Sequence, residues 1–243
     1  YLMKALFLGL GSIGQRHLQN FLDLTPVQSE IIAFRQTKLN KIIINGKVKS
    51  GKSLANYYNL KEYTCLDNAL KEKPNISFIC NPSNLHVKSA IKLARAGSNL
   101  FIEKPIATDL NNFSTLEKIV KKNKLITLVG FQNRFHPVLI KVNKIINSRK
   151  FGDIINASFK WHNYLPHFHS YENYSSSYAA RRDLGGGVTF CLSHELDLIQ
   201  WFVGLPSEVY ALKGAKSKLR IDVEDSVAVI FKCHQMRRTF PVS

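Results

Sequence analysis

Apolar residues fall in short runs separated by stretches with helical spacing. Residues 4–9 (Lys-Ala-Leu-Phe-Leu-Gly) are mostly apolar, which predicts a strand buried on both faces. Residues 15–24 carry Leu18, Phe21 and Leu22 along one side of a helix. Residues 30–34 predict a second strand. Further on, the pattern predicts strand 63–66, helix 67–73, strand 76–80, helix 83–96, strand 99–102, helix 110–123 and strand 125–130. Asp67 and Ser83 are the expected N-caps. Residues 39–60 are polar, and their one signal is Ile42-Ile43-Ile44 before Asn45-Gly46, a hairpin pattern. Repeated βα units rich in Ile, Leu, Val and Phe predict an α/β domain over residues 1–130, with a doubly wound parallel sheet of the Rossmann type.

After Gly130 the alternation stops. Residues 131–137 (Phe-Gln-Asn-Arg-Phe-His-Pro) lead into a helix ending near Arg149. A longer strand is expected at 154–161, then a loop at 164–184 rich in Tyr, His and Ser. Gly185-Gly186-Gly187 precedes an expected helix over 188–203, and strands are expected at 209–212 and 223–232. This is the pattern of an α+β domain with a mainly antiparallel sheet, over residues 131–243.

Candidate chemistry lies where predicted strands end. Gly9-Leu10-Gly11-Ser12-Ile13-Gly14 stands between a strand and a helix, the setting in which GxGxxG binds a dinucleotide. Gly9 permits the tight turn, Gly11 lets the backbone approach a pyrophosphate, and Gly14 allows close helix–strand packing. The helix N-terminus offers free N–H groups and positive partial charge. The second strand ends in Arg35-Gln36-Thr37-Lys38, where an NAD enzyme usually carries an acid for the ribose hydroxyls. Two bases and no acid favour NADP over NAD, although an arginine stacked on adenine suits either. Asn81-Pro82 opens a helix whose first turns hold His86, which reads as a buried or capping histidine or as a chemical group. Residues 101–105 (Phe-Ile-Glu-Lys-Pro) run a strand straight into an acid, a base and a proline at the ligand side of the sheet. Pro105 ends the ladder and holds Lys104 in place.

The chain has 243 residues, 45% of them hydrophobic and 21% charged, enough to bury a core of one or two domains. No apolar run reaches the roughly 18 residues of a membrane helix, and the start lacks the pattern of a signal peptide. Cys65, Cys80, Cys191 and Cys233 are widely spaced, as for reduced thiols in a cytoplasmic protein without a zinc site. The net charge of +17 raises the case for a nucleic-acid or anionic-membrane partner. The lysines are scattered, however (Lys38, Lys41, Lys47, Lys49, Lys52, then Lys118, Lys121, Lys122, Lys124), with no basic run interleaved with aromatics. A solvated basic surface is expected, with no nucleic-acid or membrane partner, and a phosphorylated ligand gains from the field.

Together these motifs resemble the Gfo/Idh/MocA oxidoreductases, the family of glucose–fructose oxidoreductase and inositol dehydrogenase. The resemblance rests on Gly9–Gly14, Asn81-Pro82 with His86, Glu103-Lys104-Pro105, and Gly185-Gly186-Gly187 with Ser193-His194-Glu195-Leu196-Asp197. It covers the chain to about Lys232. The stretch from Tyr164-Leu165-Pro166 to Tyr178-Ala179-Ala180-Arg181 looks like the subgroup associated with bacterial surface-sugar biosynthesis. The resemblance implies hydride transfer between NAD(P) and a sugar or nucleotide sugar, with Lys104 facing nicotinamide and substrate and His194 as general acid/base. Non-redox sugar processing with bound NAD, or a non-catalytic dinucleotide sensor or scaffold, are the alternatives. It implies cofactor contacts at Gly9, Gly11, Ser12, Ile13, Gly14, Arg35, Asn81, Pro82, His86, Glu103, Lys104 and Gln132. It implies substrate contacts at Arg134, Tyr164, His169, Tyr178 and His194. Where the subgroup usually has an aspartate, three residues before the histidine, this chain has Cys191, expected on the same helix face as His194. The Lys104–Pro105 bond is expected to be cis. Relatives continue for several strands past this chain's end and form homo-oligomers, so Tyr1-Leu2 before Met3 and the run 237–243 read as marks of a fragment or a slipped frame.

Overall fold

A computed structural model describes residues 2–25, 28–36, 41–44, 46–49, 53–169 and 171–233. Thr37, Lys38, Asn45, Lys52 and the run 237–243 lie outside them. The chain divides into two compact units, Tyr1–Gly130 with His169–Asn173 and Asp183–Gly185, and Phe131–Phe168 with Tyr174–Arg182 and Gly186–Ser243.

In chain order the first unit runs β1 (Met3–Leu8), α1 (Ser12–Leu24), β2 (Ser29–Phe34), β3 (Ile42–Ile44), β4 (Lys47–Lys49), α2 (Leu54–Tyr58), β5 (Lys61–Tyr63), α3 (Leu66–Leu70), β6 (Ile76–Ile79), α4 (His86–Arg95), β7 (Asn99–Ile102), α5 (Phe113–Lys122) and β8 (Thr127–Val129). Six strands form one sheet in the order β5-β2-β1-β6-β7-β8, with parallel pairing throughout. This is a doubly wound sheet whose order reverses between β1 and β6, and ligands bind outside the strand ends at that point.

Ala5, Leu6, Phe7 and Leu8 on β1 are wholly buried because alternate residues face opposite layers. Leu6 and Leu8 pack with Ile79, Leu93 and Ile102. Ala5 and Phe7 pack with Leu18, Ile31 and Phe78. Phe7 stacks on Phe78 with ring centroids 4.5 Å apart, and Phe21 sets an edge against both. The hairpin expected near Ile42–Ile44 forms as the antiparallel pair β3–β4.

Several expected elements differ. The strand placed at 63–66 ends at Tyr63: β5 is Lys61–Tyr63, paired among the described residues with β2 alone. A short edge strand buries little, so its charged residues gave no apolar signal. Residues 66–70 are helical, with Cys65 at the N-cap position, so Asp67 sits in the first turn instead of capping it. Ser83 likewise does not cap: Ser83–Leu85 is a 3-10 turn ahead of α4. Helix α2 has Ser53 as its cap, accepting from the Asn56 N–H, and lay unseen in a polar stretch.

The second unit holds α6 (Pro137–Ser148), α7 (Val188–Cys191), α8 (Ser193–Val203), β9 (Pro206–Gly214) and β10 (Ser226–Cys233). β9 and β10 pair antiparallel. Residues 154–161 are not a strand; Ile155 is 99% exposed, and no described strand supplies the ladder a β conformation needs. The single helix expected over 188–203 is two, broken at Leu192 (φ −103°, ψ 33°). The apolar spacing runs on without interruption, so the break has no sequence signal. Contacts hold the chain on either side of it: Glu224 accepts from Thr189 N–H at the start of α7 (3.1 Å), and Asp197 on α8 is held by Arg134.

Candidate functional site

The glycine turn follows from steric demands that only glycine meets. Gly9 has φ +86°, and a Cβ there would lie 2.7 Å from the Cys80 carbonyl oxygen. A Cβ on Gly14 would fall 2.1 Å from the Gly9 oxygen. At Gly11 the space is open, with nothing within 4 Å of a built Cβ. Gly9 and Gly14 therefore fold the turn, and Gly11 leaves room above it. Ser12 and Ile13 begin α1, whose first N–H groups have no partner within the helix.

Gln15, 1% exposed, was not foreseen as a functional residue. Its amide donates to the Leu10 and Lys41 carbonyls (3.0 and 2.9 Å) and accepts from Ile43 N–H (2.8 Å). It fastens the segment at 41–43 beside the glycine turn.

The ends of β6 and β7 carry the next residues. β1, β6 and β7 are neighbours in the sheet, so Asn81-Pro82 and Glu103-Lys104 emerge beside the glycine turn. The Asn81 amide donates to Ser89 Oγ (3.0 Å). His86 is buried, with Nε2 2.9 Å from the Asn81 carbonyl oxygen and Nδ1 2.7 Å from that of Pro105. Burial pushes its pKa down, although both carbonyl contacts pull it up. The histidine thus ties two strand-end loops together. The Lys104–Pro105 bond is cis, as expected.

Glu103 is buried, and its two oxygens are accounted for separately. Oε1 accepts from His17 Nε2 at 2.6 Å and Oε2 from the Lys104 N–H at 3.0 Å. His17, on α1, packs its ring against Phe101 with centroids 4.6 Å apart. Glu103 therefore fixes the backbone of Lys104 to the helix that carries the glycine turn. His17 was missed; its place one helical turn after Gly14 was the available signal.

Arg35 is 6% exposed and its guanidinium is paired with the Glu62 carboxylate on β5. The expected cation at the end of β2 exists, but an acid stands against it.

In the second unit, a 3-10 turn at Gln132–Phe135 holds one face of α8. The Gln132 amide donates to His194 Nε2 (3.1 Å), and the Phe131 ring lies edge-on to His194 at 5.9 Å. Arg134 donates through Nε and Nη2 to both oxygens of Asp197, at 2.8–3.1 Å. It also lies over the Trp201 ring, at 5.7 Å. His194 and Asp197 stand at i and i+3 on α8, so the pair of contacts fixes the helix's rotation. Gln132 thus reaches His194, and Arg134 serves Asp197.

Cys191 ends α7 and does not share a helix face with His194, because Leu192 breaks the helix between them. It lines a mainly apolar cavity of about 250 Å³ with Tyr164, Phe168, Val188, Leu219 and Ile221. Tyr178 opens the 3-10 turn Tyr178–Ala180, whose carbonyls lie against Gly186. His169 belongs to the first unit; its Nδ1 donates to Glu172 (2.6 Å) and its ring stacks on Tyr171. No cluster of three or more potential metal ligands occurs among the described residues, and no helix there is long and apolar enough to cross a membrane.

A family model described as "Oxidoreductase family, NAD-binding Rossmann fold" matches residues 3–131, and one for the GFO/IDH/MocA C-terminal domain matches 139–241. An uncharacterised oxidoreductase of Streptococcus pneumoniae is 28% identical over 56% of this chain and 36% of its own length. The scyllo-inositol 2-dehydrogenase (NAD(+)) of Bacillus subtilis is 23% identical over 87% of this chain and 56% of its own. The chain thus spans about a third to a half of the length of these curated relatives. The solved structure of a WlbA dehydrogenase from Bordetella pertussis, in complex with NADH and UDP-GlcNAcA, shares the fold with a TM-score of 0.76. It is 21% identical, over 93% of this chain and 64% of that one.

Proposed function

The chain belongs to the Gfo/Idh/MocA oxidoreductase family, and on that footing we propose that it transfers a hydride between NAD(P) and a hydroxyl or carbonyl carbon of a sugar or nucleotide sugar. The observation that carries this reading is the convergence at one sheet edge. The glycine turn, Asn81 and the Glu103-Lys104 pair follow three adjacent parallel strands at the point where strand order reverses. The open space above Gly11 fits a dinucleotide's diphosphate. The named relatives act on inositol or bind a nucleotide sugar with NADH, which supports the substrate class.

In this reading residues 1–130 hold the cofactor and 131–243 the substrate and subunit contacts of a homo-oligomer in the cytoplasm. Gly9, Gly11, Ser12, Ile13 and Gly14 hold the diphosphate, Arg35 the adenosine end, and Asn81, Pro82 and Lys104 the nicotinamide end. Bound nicotinamide supplies or accepts the hydride. The chain's own residues manage the proton. His194 Nε2 accepts from Gln132 and is therefore unprotonated, so a sugar hydroxyl that displaces the Gln132 amide meets a base there. Lys104 polarises the reacting oxygen as a cation or relays its proton. Glu103 and His86 position Lys104 from either side. Tyr164, Tyr178, Arg134 and His169 remain the candidate substrate contacts, with Arg134 acting through Asp197.

The choice of dinucleotide turns on Arg35. A preference for NADP rests on that cation, yet Glu62 would face the 2′-phosphate as well. We propose that the Arg35–Glu62 pair sets the choice, not Arg35 alone. A second reading, a dinucleotide-binding protein without turnover, is favoured by Cys191 at the position of an acid. Appearance of reduced nicotinamide on mixing the chain with NAD or NADP and a panel of sugars and nucleotide sugars supports the oxidoreductase. Tight cofactor binding with no turnover on any of them supports the second reading.

A further inference from the structure

One polar ring lies in an aromatic cluster of the first unit. Phe7, Phe78 and Phe101 of the sheet pack with Phe21 of α1. His17, one turn before Phe21 on the same helix, joins them, with ring centroids 4.6 Å from Phe101 and 6.3 Å from Phe78. A phenylalanine would serve this packing as well. What the imidazole adds is a donor: its Nε2 meets Glu103 Oε1 at 2.6 Å.

Glu103 is the first residue beyond β7, and its surroundings are built for a carboxylate. Its N–H donates to the Ile79 carbonyl (2.9 Å), which ties its backbone to β6. Gly130 leaves room for the side chain, since a Cβ there would lie 3.0 Å from Oε1 and 3.3 Å from the carboxyl carbon. Oε2 accepts from the Lys104 N–H at 3.0 Å. Lys104 is thus held by a side chain whose other oxygen is held from α1. A buried carboxylate oxygen deprived of its donor is costly. Without the imidazole the carboxylate shifts, and the Lys104 N–H loses its fixed acceptor. We infer that His17 is a positioning residue for hydride transfer, acting on Lys104 through Glu103. This rests on the proposed role of Lys104 and deepens it, because it assigns the placing of that lysine to a residue of the helix that follows the glycine turn.

The test is a set of variants of the full chain, compared in kcat on whichever sugar the parent turns over, in NADH Kd and in Tm. His17→Phe keeps a ring in the cluster and removes the donor. It is expected to lower kcat at least about tenfold, within the 10² that misplacing a reacting group costs, while the NADH Kd changes little. His17→Gln, which offers an amide N–H to Oε1, is expected to recover most of the lost rate. Glu103→Gln is expected to lower kcat by itself, and adding His17→Phe to it is expected to cost little more, because both changes break one contact. Losses that multiply in the double variant overturn the inference, since His17 then acts by another route. A parental kcat in His17→Phe also overturns it: with a lower Tm the residue serves packing alone, and with a weaker NADH Kd it serves the cofactor. If the folded parent binds NADH but turns over no sugar, the hydride-transfer reading fails and the inference falls with it.

Discussion

At the scale of single residues, glycines were the most legible. A positive φ or a 2.1 Å approach admits no other side chain, so GxGxxG carries its own geometry. Gly11 tests the role of the open space. Gly11→Val places a branched side chain where nothing now lies, so the fold is expected to survive while dinucleotide binding is lost. Thermal melting together with NADH titration checks it, and undiminished affinity in the folded variant refutes the role. Arg35 was legible as a cation but not as a paired one, since its partner lies 27 positions away on another strand. If the pair governs cofactor choice, Glu62→Gln is expected to raise the affinity ratio of NADPH to NADH at least roughly threefold, the scale of a partly screened charge pair. A ratio that stays fixed removes Glu62 from the site. His17 and Gln15 escaped the sequence because each is defined by a tertiary partner, Glu103 for one and the segment at 41–43 for the other.

At the scale of elements, strands buried in the middle of the sheet could be read almost to the residue, because their apolar runs have no polar face. β7 lies at 99–102 as expected, and β1, β2 and β6 are within one residue of expectation at each end. Edge strand β5 could not be read, since its residues are chosen for charge. That charge forms a cluster around Glu72, which accepts from Tyr63 Oη and pairs with Lys61 Nζ at 2.7 Å and Lys4 Nζ at 3.4 Å. Lys61 and then Tyr63 draw the Glu72 pKa down to about 2. The unfolded value is about 4.3, so this contribution is complete above that pH and is lost as pH falls toward 2. Glu72→Gln is expected to flatten the fall of Tm between about pH 4.3 and 2, relative to the parent. Parallel curves for the two proteins refute the coupling. The expected strand at 154–161 failed for a different reason: alternation marks a strand only where a partner ladder exists.

At the scale of the whole molecule, the two-part organisation was visible in the change of alternation after Gly130. The return of His169–Asn173 and Asp183–Gly185 to the first unit was not, because a polar loop carries no periodicity to say where it docks. The charge of +17 comes from 34 lysines and arginines against 17 acids, with the basic residues scattered along the chain. The proposed chemistry turns on one claim, that Lys104 polarises the reacting oxygen or relays its proton beside a bound nicotinamide. The most direct measurement is the steady-state rate and the cofactor Kd of Lys104→Met beside the parent, on whichever sugar the parent turns over. The account predicts a fall in kcat of roughly 10² or more, the scale of a lost proton-transfer group, with cofactor Kd changed only modestly. Full turnover by a folded Lys104→Met protein would contradict it.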